Sequence, residues 1–243
     1  MQTFTFLGFI ALKGYIRESI GGPISFADPS IAGVTFHYTI EDSAVVIACD
    51  FLDELSISQY SLYIWSFYLV RGVIDAALFA GAVGCVLVLD KCKRPDGTLV
   101  PLRYEEPELS KICTLSVTEI ALLSEKERAI QKCLHDLVGS LVEPLDTELN
   151  CARAIEGFAK LITPSARTDK QCWNGMKTAL NVSTEYLIFV TNLSKGPRHG
   201  GVEPQLLSYI AEVRRRGWTV ANRFLEYRKR GNASLTAPEF PAL

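Results

Sequence analysis

The segment 194–201 reads Ser-Lys-Gly-Pro-Arg-His-Gly-Gly and gathers cationic side chains among flexible residues. Glycines such as Gly196 and Gly200 let the backbone come close to a ligand. Lys195 and Arg198 supply positive charge, and the free N–H groups at the start of a following helix attract anions. The sequence therefore predicts that this loop binds phosphate.

His199 adds an acid/base group to the same loop. Because histidine titrates near neutral pH, it is suited to pass a proton to or from a ribose hydroxyl or a leaving oxygen. Arg198 would meanwhile stabilise the charge on the phosphoryl group. This chemistry needs no metal. The alternative interpretation is a turn between helices in which His199 caps or packs.

A long helical pattern follows at residues 203–230 and is rich in arginine. Its basic residues are Arg214, Arg215, Arg216, Arg223, Arg228, Lys229 and Arg230. Residues 195–230 hold nine basic and three acidic residues, whereas the whole chain of 243 residues has a net charge of -2. Clustered positive charge concentrates anions, so Arg214, Arg215 and Arg223 are predicted to contact RNA or nucleotide phosphate. A solvated helix face is the alternative.

Arg153 and Glu156 lie three residues apart on a helical pattern at 146–162. They are candidates for a supporting pair that reaches Arg198 and His199 and orients the imidazole. An ordinary salt bridge between the two is the alternative interpretation.

The cysteine and histidine patterns indicate neither a metal site nor a cofactor. The seven cysteines lie mostly in apolar stretches without a CxxC motif, which is typical of buried thiols in a reducing, cytoplasmic compartment. The first ten residues lack the features of a signal peptide. Residues 62–89 are strongly apolar, but Arg71 and Asp75 would be costly in a bilayer, so a core helix is predicted instead of a membrane span.

The first 107 residues predict an α+β module. Residues 3–12, 34–40, 44–51 and 83–90 have the β-branched and aromatic composition of strands. A long helix is expected from Ser56 to about residue 80. Residues 95–97, Pro-Asp-Gly, predict a hairpin turn that leads into a strand at 98–104.

Residues 108–243 predict an all-α helical bundle. Ser124 and Glu127 have the spacing of a capping box that opens a helix to residue 142. Asp146 is expected to cap the next helix, to residue 162. Further helices are predicted at 169–180, 184–193 and 203–230, and the tail 231–243 is expected to be loosely attached. The predicted fold is thus α+β, with a strand-rich module followed by a helical bundle.

Residues 146–230 resemble the HEPN superfamily of helical ribonucleases and nucleotide-binding modules found in toxin and phage-defence systems. The resemblance rests on Arg153-Ala154-Ile155-Glu156 in an inner helix and on the basic loop that ends in His199. The family's motif has an arginine, then four to six intervening residues, then the histidine. Residues 192–194 hold no arginine here, and Lys195 and Arg198 are the nearest cations.

The resemblance implies a homodimer in which two loops face one cleft. It also implies RNA cleavage by attack of the ribose 2′-hydroxyl, which leaves a cyclic phosphate. The expected function is therefore RNA binding or metal-independent RNA cleavage. Two alternatives remain: a non-catalytic scaffold or ligand-sensing protein whose bundle docks a partner, and a mononucleotide binder.

Overall fold

A computed structural model describes residues 1–11, 20–25, 31–53, 55, 57–81, 85–102, 107–143, 146–194 and 207–243. The protein is α+β, with an antiparallel sheet and one long helix followed by a run of helices. The chain divides into two units, Met1–Arg103 and Tyr104–Leu243, close to the boundary expected after residue 107.

Six strands form the sheet. They are β1 (Gln2–Ile10), β2 (Ile20–Ile24), β3 (Thr35–Glu41), β4 (Ala44–Phe51), β5 (Leu87–Lys93) and β6 (Leu99–Pro101). Their order is β2-β3-β4-β1-β5-β6, with antiparallel neighbours throughout. The strands expected at 34–40 and 44–51 are confirmed, and the strand expected at 3–12 ends at Ile10, with residue 12 outside the described part of the chain. The strand expected at 83–90 begins later, at Leu87, and residues 83 and 84 lie outside the described part of the chain.

Helix α1 (Gln59–Gly81) packs against β1 and β4. The rings of Phe6 and Tyr63 meet edge to face, and Ser66 Oγ lies 3.3 Å from Cys49 Sγ. The helix begins later than expected, because its first turn is capped by Ser58, whose Oγ accepts a hydrogen bond from the backbone N–H of Ser61. Among the residues that the structure describes, each helix is too short or too polar to cross a bilayer.

The second unit is helical. Its described helices are α2 (Pro107–Ser110), α3 (Val117–Lys126), α4 (Arg128–Val142), α5 (Thr147–Ile162), α6 (Asp169–Leu180), α7 (Thr184–Leu193) and α8 (Leu207–Lys229). Helix α5 contacts α4, α6, α7 and α8, so it forms the centre of this unit. The rings of Phe158 and Phe224 stack in its core with their centroids 4.5 Å apart.

The capping box expected at Ser124 is wrong. Ser116 and Glu119 form the capping box, at the start of α3, whereas Ser124 lies inside that helix and donates to the Ile120 carbonyl. Glu127 has extended backbone angles and separates α3 from α4. Asp146 does occupy the position before α5, but its side chain makes no capping hydrogen bond.

The tail after α8 is not loosely attached, contrary to the sequence prediction. The Leu235 N–H donates to the Ala179 carbonyl, and the Ser183 N–H donates to Leu243 O. Leu235 is buried, and the Asn181 amide donates to the Phe240 carbonyl. The tail therefore lies against the turn between α6 and α7.

Candidate phosphate-binding site

Arg214 of α8 is buried against the end of α4. Its guanidinium donates from Nε to the Ser140 carbonyl at 3.0 Å and from Nη2 to Thr147 Oγ1 at 3.1 Å. Thr147 Oγ1 in turn donates to the same Ser140 carbonyl. Only 3% of Arg214 is exposed, so this arginine fastens α8 to α4 and α5.

Arg223 is buried in the same way at the end of α6. Its Nη1 donates to the carbonyls of Leu180 and Asn181, and its Nη2 donates to the Pro241 carbonyl at 2.6 Å. Burial lowers the pKa of Arg223 from its ordinary value. This arginine therefore joins α8, the end of α6 and the tail.

Arg228 is the third arginine of α8 that donates to a carbonyl near the C-terminus of another helix. Its Nη2 donates to the Leu161 carbonyl in the last turn of α5 and also contacts Glu127 Oε2 at 2.9 Å. The last carbonyls of a helix lack intrahelical partners and form the negative end of its dipole. Arg214, Arg223 and Arg228 thus supply donors and positive charge to the C-termini of α4, α6 and α5.

The other basic residues of α8, and Arg230 directly after it, pair with carboxylates. Arg215 and Arg216 both contact Glu212, and Lys229 contacts Glu119. Arg230 pairs with Glu226 and Glu239, and Arg216 also lies over the rings of Tyr186 and Phe189. Every basic side chain of α8 therefore has a partner within the protein.

These contacts do not support the prediction that α8 is a phosphate-binding surface. Arg214 and Arg223 are enclosed and their donors are used by protein acceptors. Arg215 is half exposed, but both of its hydrogen bonds go to the Glu212 carboxylate. The arginine pattern of α8 is explained by packing.

Arg153 is in a different environment. Its Nη2 lies 3.2 Å from Oδ1 of Asp136 on α4, and its side chain is 44% exposed whereas that of Asp136 is 8% exposed. This contact requires α4 and α5 to lie close together. Gly157 permits the close approach, because a Cβ at this position would collide with the Cys133 thiol. The described partner of Arg153 is therefore on the neighbouring helix. Glu156 lies three residues further along α5 and is partly buried.

Two buried carboxylates, Asp136 beside Arg153 and Glu148 near Arg214, are not among the residues predicted from the sequence. Both are buried at the contact between α4 and α5, with Ser140, Thr147 and Asn150. Burial raises the pKa of Glu148, although its backbone hydrogen bond and Arg214 act in the opposite direction. The one signal in the sequence was that these polar residues fall at positions that the helical period places inward, but it does not identify their partners on other helices.

The remaining predicted site residues belong to the loop at 194–201. Lys195, Gly196, Arg198, His199 and Gly200 lie outside the described residues. In sequence this loop joins Ser194, which follows α7, to Leu207, the first described residue of α8. Elsewhere in the described chain, no group of three histidine, cysteine, aspartate or glutamate side chains is arranged to hold a metal ion.

Comparison with known proteins gives one family. Residues 117–229 match a family model described as the C-terminal domain of a domain of unknown function, DUF8168. The match begins at the first residue of α3 and ends at the last residue of α8, so the helical unit is what resembles that family. No curated protein and no solved structure matches the chain.

Proposed function

We propose that the helical unit binds RNA through its phosphates, with Arg153 and the loop at 194–201 as the contacts. The observation that supports this most directly is the Arg153–Asp136 pair, in which a half-exposed guanidinium is held by a buried carboxylate. Guanidinium groups fixed in this way suit phosphate recognition, because their planar donors match pairs of phosphate oxygens.

The contrast with α8 strengthens the choice of Arg153. Arg215 of α8 is about as exposed as Arg153, but it uses two nitrogens for the Glu212 carboxylate, whereas within the described residues Arg153 uses one nitrogen for Asp136. The other donors of the Arg153 guanidinium can then meet a phosphate that approaches from solvent.

The proposed catalytic activity is metal-independent cleavage of RNA. The imidazole of His199 takes the proton of the ribose 2′-hydroxyl, the 2′-oxygen forms a bond to phosphorus, and the bond to the 5′-oxygen breaks. The imidazolium then returns the proton to the leaving oxygen, and a cyclic phosphate remains. Arg198 and Lys195 stabilise the charge on the phosphoryl group, Glu156 supports the site, and two copies of the chain form the cleft.

Fluorescence anisotropy with labelled single-stranded RNA at several salt concentrations tests the binding. We expect Arg153→Gln to weaken binding by about 1–2 kcal/mol, roughly 5- to 30-fold, and to make the salt slope shallower by about 0.7. The matched control is Arg215→Gln, which removes the same charge from an arginine already paired with Glu212. Equal affinities for the wild type and Arg153→Gln would exclude Arg153 as a contact.

Cleavage is tested separately, with labelled RNA in the presence of a chelator. The proposal predicts cyclic-phosphate products from the wild type and none from His199→Ala. If the wild type binds RNA without cleaving it, the protein is a binding module. If RNA does not bind but a nucleotide raises the melting temperature, the mononucleotide alternative is favoured, and failure of both favours the scaffold alternative.

A further inference from the structure

The outer face of α4 carries a row of cationic and polar side chains. Arg128, Gln131, Lys132 and His135 are all exposed on this face and, with Ala129, they line an open hollow. The spacing of Arg128, Lys132 and His135 places them on one side of the helix. No acidic residue lines this hollow within the described chain.

These side chains differ from those of α8 in lacking carboxylate partners. Within the described ranges, Arg128, Lys132 and His135 make no ion pair, whereas each basic residue of α8 is engaged. The nearest carboxylate on the same helix, Asp136, is occupied by Arg153. The positive charge of this face is therefore available to a ligand from solution.

We infer that this face of α4 binds successive phosphates of the RNA strand that Arg153 contacts, an inference that rests on the proposed function. Lys132 and Asp136 are one helical turn apart, so the face continues directly from the Arg153–Asp136 pair. From residue 128 to residue 135 the helix rises about 10 Å, and a stacked strand carries a phosphate every 3.4 Å or so, which gives roughly three phosphates. Gln131 and His135 supply further hydrogen-bond donors.

The face suits a polyanion better than a folded protein partner. The hollow is lined by charged and polar side chains with one alanine, and the exposed Val138 lies one turn beyond it on the same helix. Protein interfaces rely on buried aromatic or aliphatic anchors, which this hollow lacks. Phosphate contacts need only cations and hydrogen-bond donors that remain accessible.

A length series of single-stranded RNA tests the inference. The variant Arg128→Gln/Lys132→Gln is compared with wild type on oligonucleotides of about 3, 6 and 12 nucleotides. The matched control is Arg167→Gln/Lys170→Gln, which removes the same two residue types from exposed positions near the start of α6. Circular dichroism and urea midpoints establish that both variants fold.

On the longest RNA we expect the α4 variant to bind about 10-fold more weakly, with a salt slope shallower by about 1.4, because two phosphate contacts are lost. On the trinucleotide its affinity should stay within about twofold of wild type, and the control should match wild type at every length.

An α4 variant that keeps wild-type affinity for the longest RNA overturns the inference, and so does a loss equal to that of the control. If Arg153→Gln still weakens trinucleotide binding in that case, the proposed function survives without this extension. If wild type binds none of the oligonucleotides, both fail.

Discussion

At the scale of single residues, the buried arginines are the clearest feature of this protein. A guanidinium cannot be deprotonated in a protein, so its burial is tolerable only when its donors find acceptors. Arg223 meets this condition with three main-chain carbonyls, at the end of α6 and in the tail. The helix dipole adds favourable electrostatic energy, because two of the acceptors are at a helix C-terminus.

Replacement of Arg223 should therefore be strongly destabilising. We expect Arg223→Met to lower the free energy of unfolding by about 2–4 kcal/mol, because buried carbonyls lose their donors. Urea denaturation of the variant and of Arg215→Met measures this. Arg215 is half exposed and its ion pair with Glu212 lies at the surface, so its variant should change stability by less than about 1 kcal/mol. Equal losses in the two variants would contradict the assigned role.

Glu148 leads to a prediction about pH. Burial raises the pKa of its carboxyl in the folded protein, so the folded state binds this proton more tightly than the unfolded chain does. Its contribution to stability is fully present below the unfolded pKa and is lost as pH rises through the folded pKa. We expect Glu148→Gln to be at least as stable as wild type at pH 7, with the difference disappearing near pH 4. Urea unfolding at both pH values tests this, and a less stable variant at pH 7 would show that the charge of Glu148 is needed beside Arg214.

At the scale of elements, two serines compete for the start of a helix. Ser116 and Ser124 are each followed three residues later by glutamate, so the sequence pattern fits both. The structure uses Ser116, whose Oγ accepts from the Glu119 N–H while the Glu119 carboxylate accepts from the Ser116 N–H. The pattern alone could not decide, because α3 and α4 are separated only by Glu127.

The capping box gives a paired test. Ser116→Ala should lower the free energy of unfolding by about 1 kcal/mol, because it leaves an N-terminal N–H without a partner. Ser124→Ala should cost less than about 0.5 kcal/mol, because its hydroxyl donates to a carbonyl that already belongs to the helical ladder. Thermal or urea unfolding of both variants provides the comparison. A larger loss for Ser124→Ala would favour the helix start expected from sequence.

The attachment of the tail is also an element-scale result. Leu235 is 2% exposed and lies in the core of the helical unit. We expect Leu235→Ala to lower the free energy of unfolding by about 2–3 kcal/mol, whereas Leu122→Ala at a position that is 51% exposed should change it by less than about 0.5 kcal/mol. Denaturant titrations measure both. If the two substitutions had the same small effect, the tail would be loosely attached after all.

The sequence predicted helix boundaries best where the capping residues and the apolar periodicity indicated the same start and end. Helices α6 and α7 begin and end at the predicted residues, because Thr168 and Ser183 cap them and the apolar period is regular. The tail could not be predicted, since its partners Asn181 and Arg223 are distant along the chain. The inward Asp136 was missed for the same reason, because its partner Arg153 is on another helix.

For the molecule as a whole, net charge by segment was a misleading guide to the binding surface. Residues 195–230 are strongly basic in sequence, but Glu119, Glu127 and Glu239 come from outside this segment and pair with its cations. Positive charge on α8 is thereby used to hold the helical unit together. We propose instead that phosphate binds at Arg153, at the outer face of α4 and at the loop at 194–201.

The most direct test of this assignment is photo-cross-linking of the full chain to 4-thiouridine RNA, with the attached peptides identified by mass spectrometry. The account predicts cross-links within residues 128–135, near Arg153 and within residues 194–201, and predicts that unlabelled RNA competes for them. Cross-links confined to α8 beyond residue 214 or to residues 1–103, or the absence of any cross-link, would contradict it.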